Sequence, residues 1–224
     1  MSGRPLAAGL ALIFDMDGVV VDSNPLHRIA WAEYNRRRGL ATTEEMQQRM
    51  YGRRNDQIVR DFFGDGLTDE EAIRRGKEKE ALFRQLASGR VKQMLVPGIR
   101  EFLERYRSVP KALATNADRE NTDFILAESG LRPYFSVVVD GGQVSKPKPD
   151  PEIYLLAAAQ LGAISRNCIV YEDSQSGLNA ALAARMRVVG ILTSHANLPN
   201  AAICVDNFLD NELLGWMEAQ SAVA

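Results

Sequence analysis

The sequence predicts an α/β fold, in which a parallel sheet carries helices on both faces and an all-helical block is inserted near the start of the chain. From about residue 95 onward, short apolar, β-rich runs alternate with segments of helical periodicity. This alternation is typical of a parallel sheet covered by helices. From residue 24 to about residue 94 the periodicity is helical, with hardly any strand pattern.

The predicted strands are short apolar runs, as expected for strands that are buried on both faces of a parallel sheet. Each is followed by polar or turn-forming residues. In chain order they are LALIF (10–14), KALAT (111–115), SVVVD (136–140), CIVYE (168–172), RVVGI (187–191) and the weaker AICVD (202–206).

Capping residues and helix breakers delimit the helices between these strands. Asp118 and Asp150 are placed as N-caps, because a carboxylate can accept from the free N–H groups of a first helical turn. Gly130 and Gly162 are placed where the helices after these caps end. The predicted helices cover 98–107, 119–128, the segment from Pro151 to near Gly162, and 176–185.

The inserted block has four helical segments: PLHRIAWAEYNRRRG, TTEEMQQRMYG, RNDQIVRDFFG and TDEEAIRRGKEKEALFRQLAS. They follow the first strand directly and precede the rest of the sheet. The sequence therefore predicts two domains: a discontinuous α/β core of residues 1–23 and 95–224, and a helical domain of residues 24–94.

Composition excludes several classes of protein. The 224 residues are 46% hydrophobic and 25% charged, with a net charge of −2, so no basic surface for a nucleic-acid partner is indicated. No segment approaches the roughly 18 uninterrupted apolar residues of a membrane span. The two cysteines form no C-x-x-C pattern, which favours free thiols and a cytoplasmic location.

The first strand ends at two aspartates in the stretch LALIFDMDGVVVDS. Asp15 and Asp17 are separated by one residue and followed by Gly18. Two like charges at the end of a buried strand repel each other and resist desolvation. A divalent cation would offset that cost.

Further polar residues follow the other predicted strands. Because the carboxyl ends of parallel strands meet at one edge of the sheet, we expect these side chains to converge with the two aspartates. The additional members are Thr115 and Asn116 after KALA, Lys146 in the loop SKPKPDP, and Glu172 and Asp173 after CIVY.

This set of side chains suits phosphate chemistry. Carboxylate oxygens are the ligands that Mg²⁺ prefers. A lysine and a threonine hydroxyl can neutralise and bind phosphoryl oxygens. One carboxylate can attack phosphorus while a second moves the proton.

Four motifs, DMDGVVVDS, ATN, the lysine of SKPKPDP and YEDSQSG, resemble those of the haloacid dehalogenase-like (HAD) hydrolase superfamily. They occur in the order expected for that superfamily and span most of the chain. The sequence is most similar to the branch that contains β-phosphoglucomutase and sugar-phosphate phosphatases. The resemblance implies a Rossmann-like core, with residues 24–94 as the helical C1-type cap.

The resemblance implies a role for each motif residue. Asp15 would be the nucleophile and a metal ligand. Asp17 would be the general acid/base and would bind metal through its backbone carbonyl. Thr115 would hold the phosphoryl group, and Lys146 would neutralise the nucleophile and the transferring phosphoryl.

The resemblance also implies ligands for Mg²⁺ and contacts to the substrate. Glu172 and Asp173 would complete the metal site. The phosphate- or substrate-binding residues would be Gly18, Asn116, Ala117, His27, Gly52, Arg53, Asn55 and Lys79. For three of these an alternative stays open: His27 could pack within its helix, and Lys79 and Arg53 could lie on a solvated face.

The function favoured is a Mg²⁺-dependent phosphatase that hydrolyses a small phosphate monoester, such as a sugar phosphate, through an aspartyl-phosphate on Asp15. Asp17 favours the hydrolysis of phosphate esters. The dehalogenases of the superfamily lack an aspartate at this position, and the phosphonatases usually lack it. The main alternative is a mutase of the β-phosphoglucomutase type. Asn55 stands where that mutase has an arginine for the second phosphate, and Asp118 stands where it has a lysine.

A third hypothesis is that the protein is a catalytically silent phosphate-binding module. The loss of a motif residue would favour this hypothesis. The remaining expectations concern partners and cellular location. The partner would be a small phosphorylated metabolite, without nucleic acid or membrane, and the protein would be a cytoplasmic monomer.

Overall fold

The structure, a computed structural model, describes residues 9–220 and contains the predicted parallel sheet. The strand order is β3-β2-β1-β4-β5-β6, and every neighbouring pair is parallel. The strands are β1 (Ala11–Phe14), β2 (Lys111–Ala114), β3 (Val137–Val139), β4 (Cys168–Glu172), β5 (Arg187–Ile191) and β6 (Ile203–Val205). All six predicted strands are confirmed. Residues 1–8 and 221–224, assigned to the core domain from the sequence, lie outside the described residues.

Helices connect the strands and fill the segment after β1. In chain order they are α1 (Asn24–Arg36), α2 (Glu44–Gln48), α3 (Asn55–Phe63), α4 (Asp69–Ala87), α5 (Ile99–Arg105), α6 (Arg119–Ser129), α7 (Glu152–Leu161), α8 (Gln175–Ala183) and α9 (Asn211–Ala219). Short 3-10 helices cover Val91–Met94, Arg132–Tyr134 and Ser165–Asn167. The α/β class with an inserted all-helical block is therefore confirmed.

Helix caps lie close to the predicted positions. The Asn121 backbone N–H donates to Asp118 Oδ1 at 2.8 Å at the start of α6, and Gly130 ends that helix with φ of 69°. Three starts are shifted by one residue: α5 begins at Ile99, α7 at Glu152 and α8 at Gln175. At α7, Pro151 precedes the first helical residue, and the Glu152 N–H donates to Asp150 Oδ1 at 3.0 Å.

Both faces of the sheet are covered. Successive side chains of a strand point to opposite faces. Accordingly Phe14 packs with Phe102 and Tyr171 on one side, and Ile13 packs with Tyr154 on the other. Since these residues are buried, the two apolar layers hold the sheet rigidly beneath the loops that follow its strands.

The helical block has an apolar cluster of its own, in which Trp31, Ile58 and Phe62 are buried between its helices. Other residues of the block, including Phe83 and Ala87 of α4, belong to the cluster of the sheet. The block therefore packs against the sheet domain. The domain limits at residues 23/24 and 94/95 stay a prediction.

Within residues 9–220, the helices are too short or too polar for any of them to cross a bilayer.

Candidate active site

The central strands bring the predicted acidic residues to one edge of the sheet. β1 lies between β2 and β4, with Phe14 opposite Leu113 on one side and Tyr171 on the other. Asp15 directly follows Phe14, and Glu172 ends β4. The parallel arrangement therefore places carboxylates from two strands where sheets of this kind bind ligands.

A buried lysine lies between these two carboxylates. The Lys148 ammonium is 2.7 Å from Asp15 Oδ1 and 2.6 Å from Glu172 Oε1, and it donates to the Ala114 carbonyl at 3.1 Å. Burial disfavours the ammonium form, but the charges of Asp15 and Glu172 outweigh burial and raise the pKa of Lys148. The lysine therefore stays protonated beside Asp15.

For the Asp15 carboxylate, in contrast to Lys148, the surroundings favour the uncharged form. Burial raises the pKa of Asp15 to about 7. Lys148 opposes this rise, while the charges of Glu172 and Asp17 add to it. A further positive charge near Asp15 would favour its ionised form.

Lys146, the lysine predicted for this position, lies outside the site. Its side chain is 73% exposed, with the ammonium 3.9 Å from Asp150 Oδ2. The Ser145 and Lys146 backbone N–H groups donate to Glu152, which holds this part of the loop at the start of α7. The prediction is therefore corrected from Lys146 to Lys148. The loop SKPKPDP has two lysines, and the chain reaches the sheet edge only at the second.

Glu172 is buried and accepts five hydrogen bonds. Its Oε1 accepts from Lys148 and, at 2.6 Å, from the Tyr154 hydroxyl. Its Oε2 accepts from the Asp173 and Ser174 backbone N–H groups and from the Ser174 hydroxyl. Both oxygens are thus engaged, and the carboxylate fixes Lys148 from the side opposite Asp15.

Three buried acidic residues could hold a metal ion. Asp15, Glu172 and Asp173 each offer one oxygen, and these oxygens lie within 4.8 Å of one another. Asp173 Oδ2 accepts from the Asn24 amide at 3.1 Å and from the Ser194 hydroxyl. Burial raises the pKa of Asp173 well above its ordinary value. A buried, all-oxygen cluster of like charges fits a hard divalent cation.

Gly18 allows the loop after β1 to lie directly against Asp173. Its φ of 80° is one that residues with a side chain rarely adopt, and a Cβ there would be 1.9 Å from Asp173 Oδ2. Glycine is therefore required at this position for two independent reasons.

Asp17 lies beside Asp15 at the pocket and is more accessible. Its side chain is 24% exposed, and its Oδ1 accepts from the Ser23 hydroxyl at 2.5 Å. His27 Nε2 is 3.4 Å from the same oxygen. The second aspartate is thus held by Ser23, which precedes α1, and by His27 in the first turn of α1, and it lines the pocket.

The residues after β2 also line this pocket. Thr115 is buried, and its Oγ1 accepts from the Ala117 N–H at 3.1 Å. Asn116 Nδ2 donates to the Gly52 carbonyl at 2.8 Å, and its Oδ1 accepts from the Lys148 backbone N–H at 3.2 Å. Asn116 therefore links the sheet domain to the loop of the helical block in addition to lining the pocket.

The loop between α2 and α3 closes one side of the pocket. Gly52 has φ of 68°, and a Cβ there would be 2.6 Å from Ser174 Oγ, so this loop packs tightly against the residues after β4. Arg53 lines the pocket, but its guanidinium forms an ion pair with Asp61 of α3.

His27 and Lys79 meet at the same pocket. Lys79 Nζ is 2.8 Å from His27 Nδ1 and 2.6 Å from Glu80 Oε1. The His27 ring stacks on Phe83, with 3.8 Å between ring centroids. Lys79 is 1% exposed, so the alternative that it lies on a solvated helix face is wrong.

Glu80 and Asn121 were missed by the sequence analysis. Glu80 Oε1 accepts from Asn55 Nδ2 at 2.6 Å, and Glu80 Oε2 accepts from the Asn121 amide. Burial opposes ionisation of Glu80, but Lys79 and His27 outweigh it and lower the pKa of Glu80 to about 2. In the sequence Glu80 belongs to the charged run RRGKEKE, in which nothing marks one glutamate as buried.

One pocket joins these groups. The sheet edge contributes Asp15, Asp17, Thr115 and Lys148, and the helical block contributes His27 and Lys79. The arrangement offers a carboxylate nucleophile, a second carboxylate that can move a proton, and an ammonium and a hydroxyl for an anion.

Comparison with known protein families gives one match over most of the chain. Residues 10–185 match the sequence profile of the haloacid dehalogenase-like hydrolases. The matched segment runs from β1 to the end of α8 and contains the residues of the pocket described above.

Curated relatives above 30% identity include two phosphatases of phosphorylated sugars. The phosphorylated carbohydrates phosphatase of Thermotoga maritima is 35% identical over 192 residues, which cover 82% of this chain and 86% of the relative. The fructose-1-phosphate phosphatase of Escherichia coli K12 is 32% identical over 181 residues, which cover 80% of this chain and 95% of the relative. Both names describe the removal of phosphate from a sugar ester.

A solved structure shares the whole architecture. The β-phosphoglucomutase of Clostridium difficile superimposes with a TM-score of 0.82 and 26% identity, covering 96% of this chain and 99% of the mutase. Relatives of this chain thus include both phosphatases and a mutase of phosphorylated sugars.

Proposed function

This chain belongs to the haloacid dehalogenase-like hydrolase family, and on that premise we propose that it is a Mg²⁺-dependent phosphatase that hydrolyses a small phosphate monoester through an aspartyl-phosphate on Asp15. The observation that carries the proposal is the pairing of two aspartates in one pocket. Asp15 is buried against Lys148, whereas Asp17 is partly exposed and held by Ser23 and His27.

The acidic cluster supports the proposed cofactor. Asp15 and Asp173 would hold Mg²⁺ together with the Asp17 carbonyl. Glu172 would act mainly through Lys148, because its oxygens already accept five hydrogen bonds. When bound, the cation supplies positive charge next to the phosphoryl oxygens.

In the first step, an oxygen of Asp15 attacks phosphorus, and the bond from phosphorus to the ester oxygen breaks. The Asp17 carboxyl gives its proton to that oxygen, which leaves as an alcohol. Lys148 and Thr115 neutralise and orient the transferring phosphoryl group.

In the second step, Asp17, now a carboxylate, takes a proton from a water molecule. The resulting hydroxide attacks phosphorus, and the bond to Asp15 breaks to release inorganic phosphate. Asp15 is then again a carboxylate and Asp17 again carries a proton, so one ester and one water are consumed per turnover.

A phosphorylated sugar or a similar small metabolite is the proposed substrate class. Two of the relatives above 30% identity are named as phosphatases of such esters. The pocket supports a small substrate, because the helical block covers it with His27, Lys79 and Asn55. We further propose that these residues, with Gly52 and Arg53, select the substrate, while a monomeric state and a cytoplasmic location stay predictions.

The runner-up is a mutase of the β-phosphoglucomutase type, favoured by the structural similarity over 96% of the chain. A mutase has to hold a second phosphate. Arg53 and Arg54, the two arginines of the loop before α3, are paired with Asp61 and Asp56. That pairing supports the phosphatase over the mutase.

The test is phosphate release from a panel of sugar phosphates and small phosphorylated acids, with Mg²⁺ or with EDTA, for the wild type and for Asp15→Asn. A parallel assay follows conversion of β-glucose 1-phosphate to the 6-phosphate. We expect Mg²⁺-dependent release that is lost in Asp15→Asn. Isomerisation with little release would favour the mutase. Binding of Mg²⁺ and phosphate without turnover in either assay would identify the silent binding module.

A further inference from the structure

The part of the pocket beyond the reacting groups contains a buried ion pair. Lys79 and Glu80 are neighbours on α4, with Nζ and Oε1 2.6 Å apart and side chains only 2% and 3% exposed. Both line the pocket, together with Asn55 and Asn121. We call these four residues the distal wall, because they line the pocket without belonging to the groups that would react.

The positive charges on this side of the pocket are already neutralised. Glu80 pairs with Lys79, and Asp61 pairs with Arg53. Freeing Lys79 for an anionic substrate group would leave Glu80 as a buried, uncompensated charge, which is strongly unfavourable. A second phosphate or a carboxylate on the substrate would also approach the Glu80 carboxylate and be repelled by it.

Hydroxyl groups meet a different environment at the distal wall. A hydroxyl can donate to a carboxylate oxygen and accept from an ammonium or an amide, so the ion pair does not have to separate. Glu80 Oε2 accepts from Asn121 and Oε1 from Asn55, which fixes the carboxylate in place. Trp31 and Ile58 add apolar surface to the same pocket, and this suits the C–H groups of a polyol.

We propose that Glu80 makes this enzyme selective for monophosphate esters of uncharged polyols or sugars, against bisphosphates and phosphorylated acids. The inference rests on the proposed phosphatase function and narrows its substrate class. Glu80 is the specificity determinant: it holds Lys79 neutralised and presents negative charge to the non-reacting end of the substrate.

The experiment compares kcat/KM for three six-carbon esters: glucitol 6-phosphate, 6-phosphogluconate and glucose 1,6-bisphosphate. p-Nitrophenyl phosphate, which has no polyol, reports phosphatase activity as such. For the wild type we expect kcat/KM for glucitol 6-phosphate, whose polyol end is uncharged, to exceed kcat/KM for the other two esters by at least about tenfold. For Glu80→Gln we expect the ratio of kcat/KM for glucitol 6-phosphate to kcat/KM for each of the other two esters to fall towards one, because Lys79 becomes an unpaired cation.

Two further variants make the test independent of the folding of Glu80→Gln. Asp61→Asn releases Arg53 at a partly exposed position and should lower the same ratio. Glu78→Gln removes an equal charge from α4, at a residue that pairs with Arg38 and Arg74 outside the pocket. It should leave the ratio unchanged.

The outcomes separate the inference from the proposed function. If the wild type hydrolyses p-nitrophenyl phosphate and is equally or more active on 6-phosphogluconate and glucose 1,6-bisphosphate than on glucitol 6-phosphate, the inference alone is overturned. An unchanged ratio in Glu80→Gln, or in Asp61→Asn if Glu80→Gln does not fold, also overturns it. Absence of Mg²⁺-dependent hydrolysis of every ester, including p-nitrophenyl phosphate, overturns the proposed function as well.

Discussion

Two lysines of one loop, two residues apart, have opposite environments. Lys148 is 1% exposed at its side chain and is 2.7 Å from Asp15, whereas Lys146 is 73% exposed. Removing Lys148 would leave Asp15 and Glu172 as adjacent buried carboxylates without their shared cation. Lys146 forms only a long contact with Asp150, and exposed pairs of that kind contribute little.

We therefore expect Lys148→Ala to lower kcat at least about 100-fold, because a charge that stabilises the transferring phosphoryl is lost. We also expect it to lower the free energy of unfolding by about 3–5 kcal/mol, the usual cost of removing one partner of a buried ion pair. Lys146→Ala is the matched control and should change stability by no more than about 0.5 kcal/mol. Steady-state kinetics and urea unfolding measure both. Equal losses in the two variants would contradict the assignment of Lys148.

Three of the residues that sequence reasoning identified share one property: they lie at or directly after the end of a strand. Asp15 and Thr115 are placed by the ends of β1 and β2, and Glu172 ends β4. Their positions follow from strand patterns alone. Lys148 comes from a loop of several residues, where two lysines satisfy the same pattern. Glu80 comes from a helix whose buried face depends on α6, an element 32 residues further along the chain.

At the scale of elements, the starts of the strands and of the helices between them were predicted to within one residue. Buried parallel strands need continuous apolar runs, and such runs are visible without tertiary context. The helices α5, α7 and α8 each begin one residue away from the predicted start. The 3-10 turns were not predicted at all, since three or four residues carry no periodicity.

The contact between α4 and α6 joins the helical block to the sheet domain. Asn121 of α6 accepts from the Arg84 guanidinium at 2.6 Å and donates to Glu80. Both partners lie one helical turn apart on α4, so one amide fixes that helix at two points. Glu120, next to Asn121, also pairs with Arg84 at 2.9 Å, but its side chain is 65% exposed.

We expect Asn121→Ala to lower the free energy of unfolding by about 1–3 kcal/mol, because buried Glu80 loses a hydrogen bond. Amide exchange in α4 should accelerate as the helix loses its anchor. Glu120→Gln is the matched control. It removes only an exposed ion pair, for which about 0–1 kcal/mol is typical. Similar small losses in both variants would show that the Asn121 amide does not hold α4.

For the whole molecule, the acidic cluster makes stability depend on pH. Burial raises the pKa of Asp15 from 3.8 to about 7 and raises that of Asp173 in the same direction. Between pH 4 and 7 the folded protein then holds a proton on Asp15 that the unfolded chain has released. Stability of the metal-free protein must fall as pH rises through this window.

A divalent cation reverses this dependence, because it binds the carboxylate form of Asp15 and has to displace the proton. The stabilisation by a bound ligand grows with its affinity. We therefore expect Mg²⁺ at about 5 mM to raise Tm more at pH 8 than at pH 5.5, relative to EDTA. In EDTA, the wild type should be less stable at pH 8 than at pH 5.5.

Differential scanning fluorimetry at the two pH values, with Mg²⁺ and with EDTA, measures both effects. Asp15→Asn is the control, since it keeps the shape of the side chain and removes its titration. Its stability in EDTA should therefore depend less on pH than that of the wild type, and Mg²⁺ should raise its Tm less. If Mg²⁺ stabilised the wild type equally at both pH values, proton and cation would not compete for Asp15. The cation would then have to bind elsewhere, and the acidic cluster at the ends of β1 and β4 would need another role.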